Sequence, residues 1–547
     1  MPLIPHFSPV CLLILDGWGI GPDYYGNALK RANTPNMNLL WHVYPHTELG
    51  ASGEAVGLPH GEDGNTETGH LNLGAGQIVY QDLPKINMAI ADGSFFTNKI
   101  FLAAIDYAFK NKSKLHLMGL VGSGGVHSNI EHLYALLTTC RARHFTQSVY
   151  LHLFTDGRDS PPTSGITYIS QIQQKLTELG VGAMATVTGR YYAMDRDTRW
   201  ERTQIAYEAV TMANGERTQN ILNAVKMSYE QGLTDEFLRP IIQVDTNGQP
   251  VGLIDDNDAV IFFNFRVDRP RQLTKAFVMN RFETEGSAVI GYDPYAIKYF
   301  KTHLVTPQTS QRPFQRKKII KNLFFVTITE YEKGLPVQVA FPPIVIPMPF
   351  SRVISHNGYR QIKIAETEKE RFVTYYFNGL RENVFPGEDW RIMPSKKVAT
   401  YDLAPQMMSR EITEVIISAV RSGEYKAIIA NYAAPDMVAH TGNLKATIQA
   451  CQIVDECIGL VVKHVEAMGG VVVITSDHGN AEELINLTSG EMDTEHSGFP
   501  VPFILVNSHF QGQATLLPRG VLADVAPTML QLLGVSKPET MTGHSFI

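Results

Sequence analysis

Cysteine is scarce: the four in this 547-residue chain, Cys11, Cys140, Cys451 and Cys457, are scattered without a CxxC spacing. That excludes a disulfide framework and a thiolate zinc site, and it fits a reducing, cytoplasmic setting. Long apolar runs are missing too. The N-terminal "VCLLIL" is far shorter than a membrane span or a secretory h-region and leads straight into "DGWG", so it reads as a buried first strand. Nor is there an excess of positive charge. With 47 basic against 54 acidic residues the net charge is −7, which argues against nucleic acid as a partner, and the one basic run, "QRKKIIKN" at 315–322, reads as a solvated surface segment. Repeats and low-complexity tracts are absent. What remains is an ordinary 44% apolar composition, enough for two or three domains each with its own core.

Compact apolar runs alternate with longer helix-like segments, the pattern of an α/β protein with a mainly parallel sheet. The clearest strands are "VCLLILD", "SVYLHLFTDG", "DAVIFFNFR", "KAIIANYAAPD" and "GGVVVITSDHGN". Several end in Asp, Asn or Arg followed by turn residues, the end at which open α/β sheets bind ligands. Two segments read as connections between units: "VYQDLPKIN" around Asp82, and the proline-rich "VAFPPIVIPMPF" at 339–350. Together they predict an inserted domain at 82–342, flanked by a discontinuous domain at 1–81 and 343–547. Inside the insertion, "IIQVDTNGQPVGLI" predicts a hairpin turning at Asn247-Gly248, and the polar stretch from Lys298 reads as a surface loop.

Asp and His residues recur at strand ends. Asp16 closes "LLILD"; Asp436 and His440 are four apart in "PDMVAH", one helical turn; Asp477 and His478 end "VVVITSDH"; His496 follows in "DTEHSGFP". One such pair is more often a cap beside a satisfied histidine. Three Asp with three His from separate elements are enough for two divalent ions of the zinc or manganese kind. Thr66, in "DGNTETGHLNLGAG", then has a reading beyond that of a helix cap with Glu67 in the first turn. Near a metal its hydroxyl becomes a usable nucleophile.

A second constellation lies in the middle of the chain: His127 in "GVHSN", Arg158 and Asp159 in "TDGRDS", Arg190 and Arg196 in "GRYYAMDRD", Arg266 and Arg269 in "FNFRVDRPRQL". Arginine forks near tight loops make a pocket for a small, multiply charged anion. Surface salt bridging is the plainer reading for Arg199, Arg202 and Arg271, and also serves for Arg196. The glycine-rich "VGSGG" before His127 is a weak phosphate-cradle motif.

Nearly the whole chain resembles the cofactor-independent (2,3-bisphosphoglycerate-independent) phosphoglycerate mutases of the alkaline phosphatase superfamily. The carrying motifs, in order, include "LLILDGWGIG", "GNTETGHLNLGAGQIVYQDL", "GGVHS", "DGRDSPP", "GRYYAMDRDTRWER", "FFNFR", "IAETEK", "PDMVAHTG", "SDHGNAEE" and "LADVAPTML". The resemblance implies an alkaline-phosphatase-like doubly wound domain built from both ends of the chain, with an inserted α/β transferase domain. It implies two divalent ions, manganese first among Mn²⁺, Mg²⁺, Co²⁺ and Zn²⁺, and no 2,3-bisphosphoglycerate. Asp436, His440 and His496 would hold one ion, and Asp16, Asp477, His478 and the Thr66 oxygen the other. His127, Arg158, Asp159, Arg190, Arg196, Arg266, Arg269 and Lys369 of "IAETEK" would bind 2- or 3-phosphoglycerate, with Thr66, Asp159, Arg266 and Lys369 in catalytic roles. The implied reaction is glycolytic and gluconeogenic interconversion of the two phosphoglycerates through phosphothreonine, by a cytoplasmic monomer whose two domains clamp shut against water; neither membrane nor nucleic acid is a partner. Alternatives that share the Asp/His set are a metal-dependent phosphatase, a phosphopentomutase-like enzyme, and an inert relative that only binds phosphometabolites. The chain departs from the family in Thr66, where Ser is usual, in Thr68 for a hydrophobic residue, in Ser123 for Asp, in Ala439 for Gly, and in a longer loop after Lys298.

Overall fold

The computed structural model describes residues 6–287, 312–514 and 516–547. Most of the polar stretch expected from Lys298 lies outside the described residues. The chain divides into two compact units, the first formed by Met1–Pro84 and Ile344–Ile547, the second by Lys85–Pro343. The passage near Asp82 is not an extended link: residues Asp82–Ala91 are a helix, and the chain leaves the first unit within it. The return, after Val339, runs through Pro342, Pro343, Pro347 and Pro349 without regular structure until the helix Phe350–His356 begins. Pro fixes φ and removes a donor, so this segment cannot join a ladder or a helix.

Among the described residues the strands form two sheets of eight. In the first unit the spatial order is Glu388–Met393, Gln361–Glu366, Ala427–Tyr432, Val10–Leu15, Val471–Thr475, Val501–Val506, His46–Gly50 and Gly520–Val521. The first five run parallel, and Val501–Val506 is antiparallel to both its neighbours. Every residue of "VCLLIL", "AIIANY" and "VVVIT" is buried, which is why these strands read as unbroken apolar runs: helices cover both faces of the sheet. All four cysteines are free and buried.

Four adjacent parallel strands therefore end on one edge. At or past their carboxyl ends come Lys369, then Asn431, the last residue but one of its strand, and Asp436, then Asp16, then Asp477 with His478. Parallel pairing, rather than sequence proximity, is what gathers them.

The second unit repeats the logic. Its order is Gln338–Val339, Phe324–Thr327, Ala259–Phe262, Leu115–Val121, Val149–Thr155, Ala183–Gly189, Ile241–Gln243 and Glu216–Thr218, with Ile241–Gln243 antiparallel to Ala183–Gly189. The loops carrying His127, Arg158 and Asp159, Arg190, and Arg266 all leave carboxyl ends of neighbouring parallel strands. The hairpin at Asn247-Gly248 is present, with Val244 bridged to Pro250 and Gly248 at φ +75°.

The basic run at 315–322 is solvated only in part: Gln315, Lys317, Ile319, Lys321 and Asn322 are exposed, while Arg316 and Lys318 turn inward. Arg316 is 9% exposed and holds both oxygens of Glu283 and the carbonyl of Ala276, while Lys318 Nζ reaches Asp255 and the carbonyls of Thr211 and Ile254. The pattern read as charge; the side chains stitch the chain after residue 312 onto the second unit.

Candidate functional site

Thr66 is the first residue of the helix Thr66–Ala75. The cap is not Thr66 but Asn65, whose Oδ1 accepts from the Thr68 amide at 2.9 Å. This leaves the Thr66 hydroxyl free of capping and directed at the strand ends. The helix can approach them because residue 69 is glycine: a Cβ there would lie 2.4 Å from the Asp477 carbonyl oxygen.

Thr66 Oγ1 lies 2.9 Å from His478 Nε2 and accepts from Lys369 Nζ at 3.1 Å. Lys369 Nζ is also 2.7 Å from Asp16 Oδ1 and 2.7 Å from Asp436 Oδ2. Around these, His440 Nε2 is 3.2 Å from Asp436 Oδ1, His496 Nε2 is 3.5 Å from the same oxygen, and His478 Nε2 is 3.4 Å from Asp16 Oδ1 and 3.5 Å from Asp477 Oδ2. All seven residues expected around the ions are brought together, with Lys369 among them rather than among the arginines. Burial opposes the charge on His478, yet the Asp477, Asp16 and Asp436 carboxylates outweigh it and carry its pKa up to about 10. His496 moves the other way, down to about 4, through burial and the charge of His478.

The donors fit divalent ions. Two groups, Asp436 with His478 and His496, and Asp16 with Asp477 and His478, each offer ligand atoms within 4.8 Å of one another. In all three histidines Nδ1 faces a backbone carbonyl, of Thr494 for His440 (2.6 Å), Gly479 for His478 (3.1 Å) and Gly64 for His496 (2.9 Å). That fixes Nδ1 as a protonated nitrogen and turns Nε2 inward, where a bound cation would take its lone pair in place of a proton, the usual support of a metal-bound imidazole. Asp477 Oδ2, buried, makes no hydrogen bond of good geometry; its neighbours are His70 Nδ1 at 3.1 Å and His478 Nε2. A buried carboxylate oxygen left this way calls for a cation.

In the second unit, Arg190 Nη1 bonds both Asp156 Oδ1 and Asp159 Oδ2 at 2.5 Å. Asp268 gathers Arg196 at 2.8 Å, Arg266 at 3.3 Å and His127 Nδ1 at 3.7 Å, and His127 Nε2 is 3.7 Å from Asp159. Arg269 donates to the Met194 carbonyl, and burial with the charges of Arg190 and Arg196 lowers its pKa to about 10. Crowding of guanidinium groups to that degree makes this a candidate anion site. Burial tends to raise the Asp159 pKa, but the hydrogen bond and charge of Arg190, with the charge of Arg269, prevail and keep it ionised. Burial and Arg190 hold His127 neutral, at about 4. Arg158 points aside to Glu236 at 2.8 Å and is half exposed. The "VGSGG" amides of Ser123 and Gly124 are occupied by Ser160 Oγ. Arg199 pairs with Asp195 and Asp197, as salt bridging predicts, whereas Arg196 joins the cluster through Asp268.

Sequence reading missed Asp156 and Asp268 here, and His70, Asn431, Asn480 and Glu482 in the first unit. The two aspartates stand inside motifs already singled out, "TDGRDS" and "FNFRVDRPRQL", so proximity was a usable signal. Glu482 Oε2 accepts from the amides of Gly19 and Asn480, and its Oε1 from Ser497 Oγ, tying the loops of Asp477 and His496 together.

Comparison with known proteins agrees along the chain. Residues 86–333 match the family described as BPG-independent PGAM N-terminus. A 2,3-bisphosphoglycerate-independent phosphoglycerate mutase of Chloroflexus aggregans is 48% identical over 546 residues, covering 98% of each chain. That of Moorella thermoacetica is 45% identical over 539 residues, again at 98% of each chain. Among solved structures, Leishmania mexicana phosphoglycerate mutase, determined at low cobalt concentration, aligns with 100% of this chain and 98% of its own, at 28% identity and a TM-score of 0.53.

Proposed function

The chain belongs to the 2,3-bisphosphoglycerate-independent phosphoglycerate mutases, and from that premise we propose that it interconverts 3- and 2-phosphoglycerate in glycolysis and gluconeogenesis by lodging the phosphoryl group on Thr66. It is an isomerase. The observation that carries the nucleophile is the position of Thr66 Oγ1, 2.9 Å from His478 Nε2 and 3.1 Å from Lys369 Nζ, at the junction of the two ligand groups.

Asp436, His440 and His496 would hold one divalent ion, and Asp16, Asp477, His478 and Thr66 the other. Bound there, the ions supply positive charge that lowers the hydroxyl pKa and neutralises the phosphoryl oxygens. The remaining chemistry belongs to side chains. Thr66 Oγ forms a bond to phosphorus as the bond to the substrate's own oxygen breaks, and Lys369, positively charged among Asp16 and Asp436, steadies the oxygens in transit. The N-terminus of the ten-residue helix Thr66–Ala75 adds its dipole at the same point. Arg190, Arg196, Arg266 and Arg269 hold the carboxylate and hydroxyls of glycerate, with Arg158 and His127 at the edge of the pocket. Asp159, kept ionised, relays one proton in each step: the proton lost by the Thr66 hydroxyl is made good at the glycerate oxygen that leaves phosphorus, and the proton of the other glycerate hydroxyl, taken as it attacks phosphothreonine, is made good at Thr66 Oγ as its bond to phosphorus breaks. Because the substrate supplies both hydroxyls, no 2,3-bisphosphoglycerate primer is needed. The arginine cluster favours a carboxylate-bearing substrate over that of a phosphatase or a phosphopentomutase. Manganese is the ion, the enzyme is a monomer, and its setting is the cytoplasm; no helix among the described residues is long and apolar enough to cross a membrane.

The test is turnover of 3-phosphoglycerate with Mn²⁺, set against phosphatase and phosphopentomutase assays, for the native enzyme, Thr66→Ser and Thr66→Ala. Mutase activity is expected in the native enzyme and Thr66→Ser and none in Thr66→Ala; full activity in Thr66→Ala sinks the nucleophile assignment.

A further inference from the structure

Two asparagines at the first-unit site share one unusual arrangement. Asn431, at the carboxyl end of the strand Ala427–Tyr432, donates through Nδ2 to Asp16 Oδ2 at 2.7 Å and meets His70 Nε2 at 3.1 Å. Asn480, in the loop after Asp477, donates through Nδ2 to Asp436 Oδ1 at 2.8 Å and meets His440 Nε2 at 3.4 Å. Each amide therefore serves one carboxylate and one imidazole. Each is buried, at 0% and 1% exposure, and in each the carbonyl Oδ1 has no hydrogen-bond partner. An asparagine retained only to complete a core network would have both ends paired. Here both are oriented entirely by their donors, since a flipped amide would set its oxygen against a carboxylate oxygen.

At both places one carboxylate oxygen is tied to the asparagine and the other, Asp16 Oδ1 or Asp436 Oδ2, lies 2.7 Å from Lys369 Nζ. At Asp16 the untied oxygen is the one 3.4 Å from His478 Nε2, whereas at Asp436 the tied Oδ1 is itself 3.2 Å from His440 Nε2 and 3.5 Å from His496 Nε2. Asn431 reaches further. By donating to His70 Nε2 it requires the His70 proton to sit on Nδ1, which lies 3.1 Å from both the Thr66 carbonyl oxygen and Asp477 Oδ2. Asn431 thus orients Asp16 directly and sets the His70 tautomer beside Asp477.

We propose that Asn431 and Asn480 are positioning residues, one for each ion: each fixes the rotation of one ligand carboxylate. The proposal rests on the two-ion reading above.

The experiment titrates metal-stripped full-length enzyme with Mn²⁺, following free ion by electron paramagnetic resonance and binding heat by calorimetry, for the native protein, Asn431→Ala, Asn480→Ala and the double variant. The native enzyme is expected to bind two ions. Each single variant should weaken one of them about 10- to 100-fold, the usual effect of removing a hydrogen bond from a metal ligand, and leave the other unchanged; the double variant should weaken both. At saturating Mn²⁺ the KM for 3-phosphoglycerate should stay within about twofold, while the Mn²⁺ concentration for half-maximal kcat rises in step with the binding loss. Should Asn431→Ala not fold, Asn431→Ser keeps a donor and should show a smaller weakening in the same titration. Native-like affinity for both ions in the single variants, with only a lowered melting temperature of the stripped protein, overturns the proposal and leaves the two-ion reading standing. A native enzyme that binds fewer than two Mn²⁺ overturns that reading and the proposal with it.

Discussion

Lys363 sits in the middle of the strand Gln361–Glu366 at 0% exposure, with Nζ 2.8 Å from Ser351 Oγ and 3.7 Å from the centroid of the Phe377 ring. Burial lowers its pKa from 10.5 to about 7, with Glu388 too weak to restore it. Below pH 7 the lysine is charged in both the folded and the unfolded chain, and folding bears the full penalty of burying it. Above about pH 10.5 it is neutral in both and the penalty is gone. Between these values the unfolded chain alone binds the proton, so stability rises with pH. At about 1.36 kcal/mol per pH unit, the interval corresponds to an upper bound of about 5 kcal/mol. Lys363→Met fills a similar volume over Phe377 and removes the penalty, at the loss of one hydrogen bond and one cation–π contact worth together about 2 kcal/mol. The expected net gain near pH 7 is about 2–3 kcal/mol, or roughly 5 °C in the calorimetric transition of the first unit. Repeating the scan at pH 10 should shrink or reverse the gain. A variant less stable than the native protein at pH 7, or a gain indifferent to pH, refutes the reasoning.

Gly69→Ala should destabilise the first unit by about 1–3 kcal/mol, because its Cβ would lie 2.4 Å from the Asp477 carbonyl oxygen, and should lower kcat about 100-fold by moving Thr66 away from that strand end; thermal denaturation and steady-state kinetics read both. Arg190→Lys keeps the charge but is shorter and loses the planar fork, and with it the further N–H groups an anion would meet, so kcat/KM for 3-phosphoglycerate should fall about 10- to 100-fold while Mn²⁺ affinity is unchanged. Removing metal with EDTA should abolish mutase activity, and Mn²⁺ at about 100 times the Kd of each site should restore it and stabilise the first unit by about 2.7 kcal/mol for each ion bound, measured as a shift in its melting transition.

The sequence exposed the parts of this molecule that obey a short-range rule. Fully buried parallel strands are apolar throughout, so "VCLLIL" and "VVVIT" were legible, and the polar residues that end them, Asp16 and Asp477, stood out as candidate ligands because they interrupt such runs. Arg316 misled because a basic run looks the same whether it is solvated or, as here, bonded to Glu283 and backbone carbonyls; only tertiary partners distinguish the two. Asn431 shows the deeper limit. It lies within an apolar strand run, and nothing local separates it from a strand-end turn former. Its meaning comes from parallel pairing, Asn431 opposite Ile14 in the adjoining strand, two residues short of Asp16. Asp268 is the counterpart in the second unit: sequence reading gave weight to the arginines around it as anion ligands and passed over the carboxylate that arranges them. In both units the groups expected to touch substrate or metal announce themselves by residue type. The groups that aim them do so only through sheet register and loop contact, which is why the aiming residues are where the structure adds most to the chemistry.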